Sequence, residues 1–401
     1  MRNIMKDKTQ TIILVGVWLF FLCYFLQAFD LPNVLTVALG GIFGLLMVMQ
    51  QKKVRVDLGI CLLTITLASY YLIINGVEGL SYMILYLPLI IYVVAHYAVC
   101  SVQKDEQYDS KIMWLLMSLI IGFTIYGILN SYMYYAGYVV PGTRRWQDFW
   151  SHEIVPGTQH TAYFLPMMAM FFPAIVYFGK RIWKSVVVVL LTVFFCYTSL
   201  ATRSRMPLLI FAIAMMVQAV LYAFLEWEKV KCILCDKKTW IAGVVLLVSM
   251  LVGFVFVKDT PVMSAFINNL GKDGGILNNV RFVAQRQALS QLFDYPMGGR
   301  QMEMSLGNYC HNTWLDMANA AGLIPFFAFT AYTLFGAYEL VRLVKTQTVT
   351  TELKLVAVGL FAVFFLYYSV EPALDASIHY LTPWIFLNGM LYGVNTKNRN
   401  L

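Results

Sequence analysis

Residues 206–225 read MPLLIFAIAMMVQAVLYAFL, with no charge among them. At about 1.5 Å of rise per residue such a helix is ~30 Å long, the thickness of a bilayer's hydrocarbon core. Directly before it stands Thr202-Arg203-Ser204-Arg205. Comparable apolar runs fill 12–29, 33–50, 57–75, 80–100, 112–135, 160–178, 182–200, 240–257, 312–341, 355–370 and 378–394. The chain of 401 residues is 60% hydrophobic and 12% charged, with a mean hydropathy of +0.69. A soluble domain is nearer one quarter charged. The sequence therefore predicts an all-α integral membrane protein, a single domain over residues 1–401 with about twelve transmembrane helices. No small-residue cleavage site follows the basic segment Met1 to Lys8, so the first span reads as an uncleaved helix.

An even number of spans puts both termini on one side. Of the 29 Lys and Arg, 20 fall on that side, at 2–8, 52–55, 104–111, 180–184, 229–238, 342–354 and 397–399. The positive-inside rule makes it cytoplasmic, and a multi-pass protein with both termini inside is expected. The formal charge of +8 follows largely from this lysine-rich belt, which suits anionic lipid headgroups and calls for no nucleic acid.

The other nine cations are Arg144, Arg145, Arg203, Arg205, Lys258, Lys272, Arg281, Arg286 and Arg300. Seven of the nine are arginine, whose planar fork grips phosphate bidentately and stays charged. An extracytoplasmic anion site fits that bias. The plainer reading is loop charge paired with Asp148, Glu153, Asp259, Asp273 or Asp294.

Residues 258–311 form the longest polar segment, predicted to be extracytoplasmic and partly helical. Within it, Val280, Val283, Ala284, Ala288 and Leu292 make an apolar stripe beside Arg281, Gln285 and Arg286, predicting an amphipathic helix on the membrane surface. Trp146, Phe149, Trp150, Tyr132, Tyr134, Tyr135 and Tyr138 crowd the outer end of the fifth span, as an interfacial belt or as a platform for sugar rings. Cys232-x-x-Cys235 lacks a second ligand pair for zinc. Cys310 beside His311 reads as a buried structural thiol. No Asp-x-Asp pair, phosphate-binding glycine loop or nucleophile elbow is present.

His311, in Cys310-His311-Asn312-Thr313-Trp314-Leu315, opens a predicted helix directly after the long loop. Its imidazole suits a general base near neutral pH. The plain alternative is an interfacial or capping histidine. Asn312 reads as an orienting or capping residue, and His152 and His160 as further acceptor contacts.

His311-Asn312 followed by Gly322 resembles the signature of the O-antigen ligase and O-antigen (capsule, Wzy-type) polymerase superfamily of membrane glycosyltransferases. Arg281, Ala288, Pro296 and Gly299 have the spacing of its loop pattern, Thr202-x-Ser204-Arg205 is similar to its Ser-Arg motif, and Gln159-His160-Thr161-Ala162 to its entry to the sixth span. These motifs cover roughly 140–325. Met206, Ala320 and Pro325 depart from the pattern, and Pro325 favours polymerase over ligase.

The resemblance implies a GT-C-like helical bundle and an undecaprenyl-pyrophosphate-linked glycan donor. A polymerase would join lipid-linked repeats of an O-antigen, capsular polysaccharide or exopolysaccharide by inverting, metal-independent transfer at the outer face. His311 would take the acceptor's hydroxyl proton. Arg203, Arg205 and Arg281, with Arg286, Arg300 and Arg145 around them and Asn312 beside the base, would bind the substrate. No cofactor is implied; the partners are donor, glycan acceptor, membrane lipids, a chain-length regulator and a flippase. A ligase delivering the glycan to lipid A core or another acceptor stays open, as does a lipid-linked oligosaccharide flippase or transporter. Against the last stand spans nearly free of charge.

Overall fold

The computed structural model describes residues 2–28, 33–51, 56–75, 82–141, 143–236, 260, 264, 279–373 and 378–399. Its longer elements are α1 (Arg2–Phe25), α2 (Asn33–Gln51), α3 (Leu58–Asn75), α4 (Tyr82–Ser101), α5 (Tyr108–Tyr135), α9 (Ile182–Ala201) and α10 (Met206–Leu225). After them come α11 (Trp227–Cys235), α12 (Val280–Ser290), α13 (Thr313–Ala321), α14 (Leu323–Lys345), α15 (Thr351–Tyr368) and α16 (Ile378–Arg399). The short helices α6 (Gly157–Ala162), α7 (Leu165–Ala169) and α8 (Phe171–Val176) follow a small hairpin of β1 (Arg145–Gln147) and β2 (Ile154–Pro156). The protein is a mostly helical, multi-pass membrane protein. Among the described residues five helices, α5, α9, α10, α14 and α15, are long and apolar enough to cross a bilayer, and α1 to α4 carry shorter apolar stretches.

Two expected spans differ from the sequence reading. The run at 160–178 breaks into α6, α7 and α8. Pro166 and Pro173 supply no amide for a continuous ladder, and Tyr163, Phe164 and Met170 donate to carbonyls three residues back. The run at 312–341 bends at Gly322, whose φ of +83° ends α13 and starts α14. The expected span at 240–257 lies outside the described residues, as do Lys258 and Lys272.

Within the bundle, α16 packs on α4 and α14, α14 on α3, α10 on α15, and α1 on α5. The pairing of α10 and α15 fixes a vertical scale. Thr351 Oγ1 donates to Glu226 Oε1 (2.7 Å) and Gln218 Nε2 to the Leu355 carbonyl (2.9 Å), so the helices run antiparallel. The same end as Glu226 holds the Arg181–Glu352 ion pair (2.8 Å), and Asp109 caps Thr350 there. Most loops assigned to the basic side thus share one end of the bundle. The opposite end carries the hairpin, Arg203 and the start of α13.

Candidate functional site

His311 sits in a turn that its neighbours enforce. Its φ is +58°, a left-handed conformation uncommon outside glycine. Asn312 then caps α13, its Oδ1 accepting from the Leu315 amide at 3.1 Å. The Asp316 carboxylate, one turn into α13, accepts from the Cys310 amide (2.7 Å) and the Asn312 amide (2.9 Å). Gln285 of α12 donates to the His311 carbonyl at 3.1 Å.

The imidazole meets a carboxylate that sequence reasoning passed over. Glu371 is buried, and its Oε2 lies 3.4 Å from His311 Nδ1. Its Oε1 accepts from Arg281 at 2.7 Å, and the same guanidinium nitrogen donates to the Val370 carbonyl at 2.9 Å. Four further bonds tie the 369–373 segment to this corner, one of them from the Ala373 amide to Thr313 Oγ1 at 3.1 Å. Asn312 Nδ2 and Gln285 Nε2 donate to the Ser369 carbonyl (3.2 and 3.1 Å), and Thr313 Oγ1 to the Glu371 carbonyl (2.7 Å). In sequence Glu371 shares a short loop after α15 with Asp375, and no motif surrounds it. The only usable signal is that it is an acid at the same end as His311.

Arg281 therefore pairs with Glu371 and, among the described residues, not with Asp148, Glu153 or Asp294; Asp259 and Asp273 lie outside the described residues. Asp148 is buried and bonded to the Tyr126 hydroxyl and the Trp150 and Ser151 amides.

Arg203 stands where α9 closes. The Ser204 amide reaches the Ser199 carbonyl (2.8 Å) and the Arg203 amide the Leu200 carbonyl (3.0 Å), with Arg203 at φ +57°. That is a Schellman closure, with arginine at the position usually given to glycine. The Arg203 side chain is exposed, and its carbonyl accepts from Arg144 at 3.4 Å. Pro207 in the first turn of α10 follows Arg205. Counting outward from the Gln218–Leu355 bond puts Arg205 level with Tyr368, three residues before Glu371. Arg145 lies exposed in β1 opposite Pro156.

Other expected site residues stand apart from His311. Arg286 is exposed on α12, about 140° around the helix from Arg281. Arg300 lies over the Tyr309 ring (5.0 Å to its centroid), and its amide donates to the Asn319 carbonyl at 2.7 Å. The Pro296–Gly299 turn is built against the α13–α14 bend. The Leu323 amide donates to the Pro296 carbonyl (2.9 Å) and the Gly299 amide to the Ala320 carbonyl (3.0 Å). A Cβ on Gly322 would stand 2.2 Å from the Pro296 carbonyl oxygen, and one on Gly298 would stand 2.5 Å from the Gly322 nitrogen.

Helix α12 does not present its stripe to a membrane surface. Ala284, Ala288 and Leu292 pack with Met302, Cys310 and Ala318 into a small core, while Val280 is exposed. Cys310 is buried there, and burial, reinforced by Asp316, pushes its thiol far above the ordinary range. Trp146 is buried, stacked on buried His160 with centroids 4.5 Å apart. Neither can be a sugar platform or an acceptor contact as folded. Tyr132, Tyr135 and Tyr138 remain exposed. Among the described residues no group of His, Cys, Asp and Glu could hold a metal ion. No family model and no curated protein matches this chain.

Proposed function

We propose that the protein is a glycosyltransferase of the cytoplasmic membrane that polymerises undecaprenyl-pyrophosphate-linked oligosaccharide repeats at the outer face. The observation that carries this reading is the half-exposed His311 ring backed by buried Glu371, at the bundle end that also bears Arg144, Arg145, Arg203 and Arg205. Glu371 favours the tautomer with the proton on Nδ1 and leaves the Nε2 lone pair free for an acceptor hydroxyl. As that oxygen bonds to the anomeric carbon, its proton passes to Nε2 and the bond to pyrophosphate breaks. The Glu371 carboxylate then stabilises the imidazolium. A single displacement of this kind inverts the anomeric centre.

The Arg281–Glu371 pair changes the expected division of labour. Arg281 neutralises Glu371, so the carboxylate does not repel an incoming pyrophosphate, and its role is to support the base. The phosphates fall to Arg203 and Arg205, with Arg144 and Arg145 beside them, as charge-assisted donors. The test is polymer length in cells carrying His311→Ala at normal membrane levels. Single repeats in place of long chains are expected; persistent long chains would remove the assignment.

One observation favours the transporter reading. Glu339 of α14 is buried, bonded to Asn395 Nδ2 at 2.6 Å and to Arg342 at 3.4 Å, so the spans are less free of charge than the sequence suggested. Loss of a transporter would strand lipid-linked repeats on the inner face, whereas loss of a polymerase leaves them outside.

A further inference from the structure

We propose that Asp316 and Gln285 are positioning residues that hold His311 in its left-handed turn and so fix which ring nitrogen faces Glu371. This rests on the reading of His311 as the base. Three features of the corner carry it. A left-handed backbone at a β-carbon-bearing residue persists only where the surroundings over-determine it. Here the Asp316 carboxylate holds the two amides that flank His311, at 2.7 and 2.9 Å, from a buried position. Gln285 holds the His311 carbonyl itself and, through the same Nε2, the Ser369 carbonyl, both at 3.1 Å. The amides of Cys310 and Asn312 and the carbonyl of His311 between them are thus held by two side chains.

The second of these grips also reaches the segment bearing Glu371. Ser369 lies two residues before Glu371 and receives Asn312 Nδ2 as well as Gln285. Gln285 is therefore a tie between the residue carrying the imidazole and the strand of chain carrying its carboxylate. Asn312 Oδ1 caps the Leu315 amide, and the Asp316 bond to the Asn312 amide adds to that cap. The Asp316 bond to the Cys310 amide and the Gln285 bond to the His311 carbonyl, however, fall before the helix. Asp316 and Gln285 are better explained by what they do to His311 than by what they do for the helix.

The substitutions are Asp316→Asn, which turns an amide donor toward one of the two backbone amides, and Gln285→Met, which keeps the length and removes the donor. Gln285 is only half-buried, so that variant is expected to fold even if Asp316→Asn is not. Full-length protein carrying ¹⁵N-histidine in nanodiscs gives the ring tautomers, with His311 among the five histidines assigned by its loss in His311→Gln. Wild type is expected to hold the proton on Nδ1, and both variants to show a mixture of tautomers. With a lipid-pyrophosphate oligosaccharide as substrate, kcat should fall roughly ten- to hundred-fold while KM holds, the scale of a small misplacement of a catalytic group. An unchanged tautomer in Gln285→Met overturns the proposal, whether or not kcat falls, and so does an altered tautomer with unchanged kcat. Absence of any glycosyl transfer by wild type would sink the function proposed above. The tautomer would still report whether the two residues position the ring.

Discussion

Glu371 offers one carboxylate oxygen to Arg281 at 2.7 Å and the other to His311 at 3.4 Å. One buried acid thereby links a permanent cation on α12 to the titratable ring at the mouth of α13. Glu371→Gln keeps the shape and removes the charge that orients the ring. We expect turnover to fall about 10²–10⁴-fold, the range for a general base lost or held in the wrong tautomer, with membrane levels intact. Gel analysis of polymer length beside an immunoblot checks it, and long chains from Glu371→Gln would break the link between this acid and catalysis.

The arginines should separate by position. Arg281 touches Glu371 and Val370, whereas Arg286 is exposed on another face of the same helix. We expect Arg286→Ala to leave turnover within about twofold, since exposed charges away from a site contribute little. Arg281→Ala should reduce it strongly, and Arg281→Lys only partly restore it, because a point charge cannot serve carboxylate and carbonyl as the guanidinium does. Equal effects of Arg286→Ala and Arg281→Ala in the same turnover assay would contradict this placement.

What was legible in the sequence follows from which forces are local. Composition and apolar run length gave the membrane class and the limits of α10 within a residue, because a charge-free stretch of that length has few alternatives in water or lipid. The run at 160–178 read as one span since hydropathy averages over Pro166 and Pro173, whose missing amides only matter to the hydrogen-bond ladder. The Pro296–Gly299 and His311–Gly322 segments are separate stretches of sequence, while their mutual packing, backbone against bare α-carbons, is a three-dimensional fact. Glu371 was invisible for the same reason: it meets Arg281 across 90 residues and His311 across 60. Trp146 and His160 carried a real aromatic signal that the fold uses for burial.

Cys310 should be inert where its exposed counterparts react. It is buried, and burial and Asp316 raise its thiol well above the ordinary range, so little thiolate exists at neutral or mildly alkaline pH. Cys232 and Cys235 on α11 are exposed. Maleimide labelling of the detergent-solubilised protein, read by peptide mass, is expected to modify Cys232 and Cys235 and leave Cys310 free, with no gain at Cys310 on raising the pH to about 9. Early labelling of Cys310 would mean that the small core under α12 is open in solution.

The glycines of the locked bend should differ sharply in what they tolerate. Gly322 and Gly299 share a φ of +83°, so alanine is strained at either, and Gly322, with ψ at −166°, lies in a region essentially confined to glycine at a cost of roughly 1–3 kcal/mol. Their surroundings are unlike. The new methyl on Gly322 would stand 2.2 Å from the Pro296 carbonyl oxygen and 2.9 Å from Met297 Cα, both backbone atoms that cannot swing aside. On Gly299 its nearest neighbour is the Gln301 side chain at 3.4 Å, which can move. Gly322→Ala must therefore pry the Pro296–Gly299 turn from the α13–α14 bend and break the Leu323–Pro296 bond, an added cost of ~1–3 kcal/mol for overpacking. Because that turn braces the helix whose start carries His311, turnover should fall along with stability. Thermal unfolding in detergent, followed by tryptophan fluorescence, is expected to rank wild type above Gly299→Ala and Gly299→Ala well above Gly322→Ala. A Gly322→Ala protein that unfolds with Gly299→Ala would show that the two segments are not locked together as described.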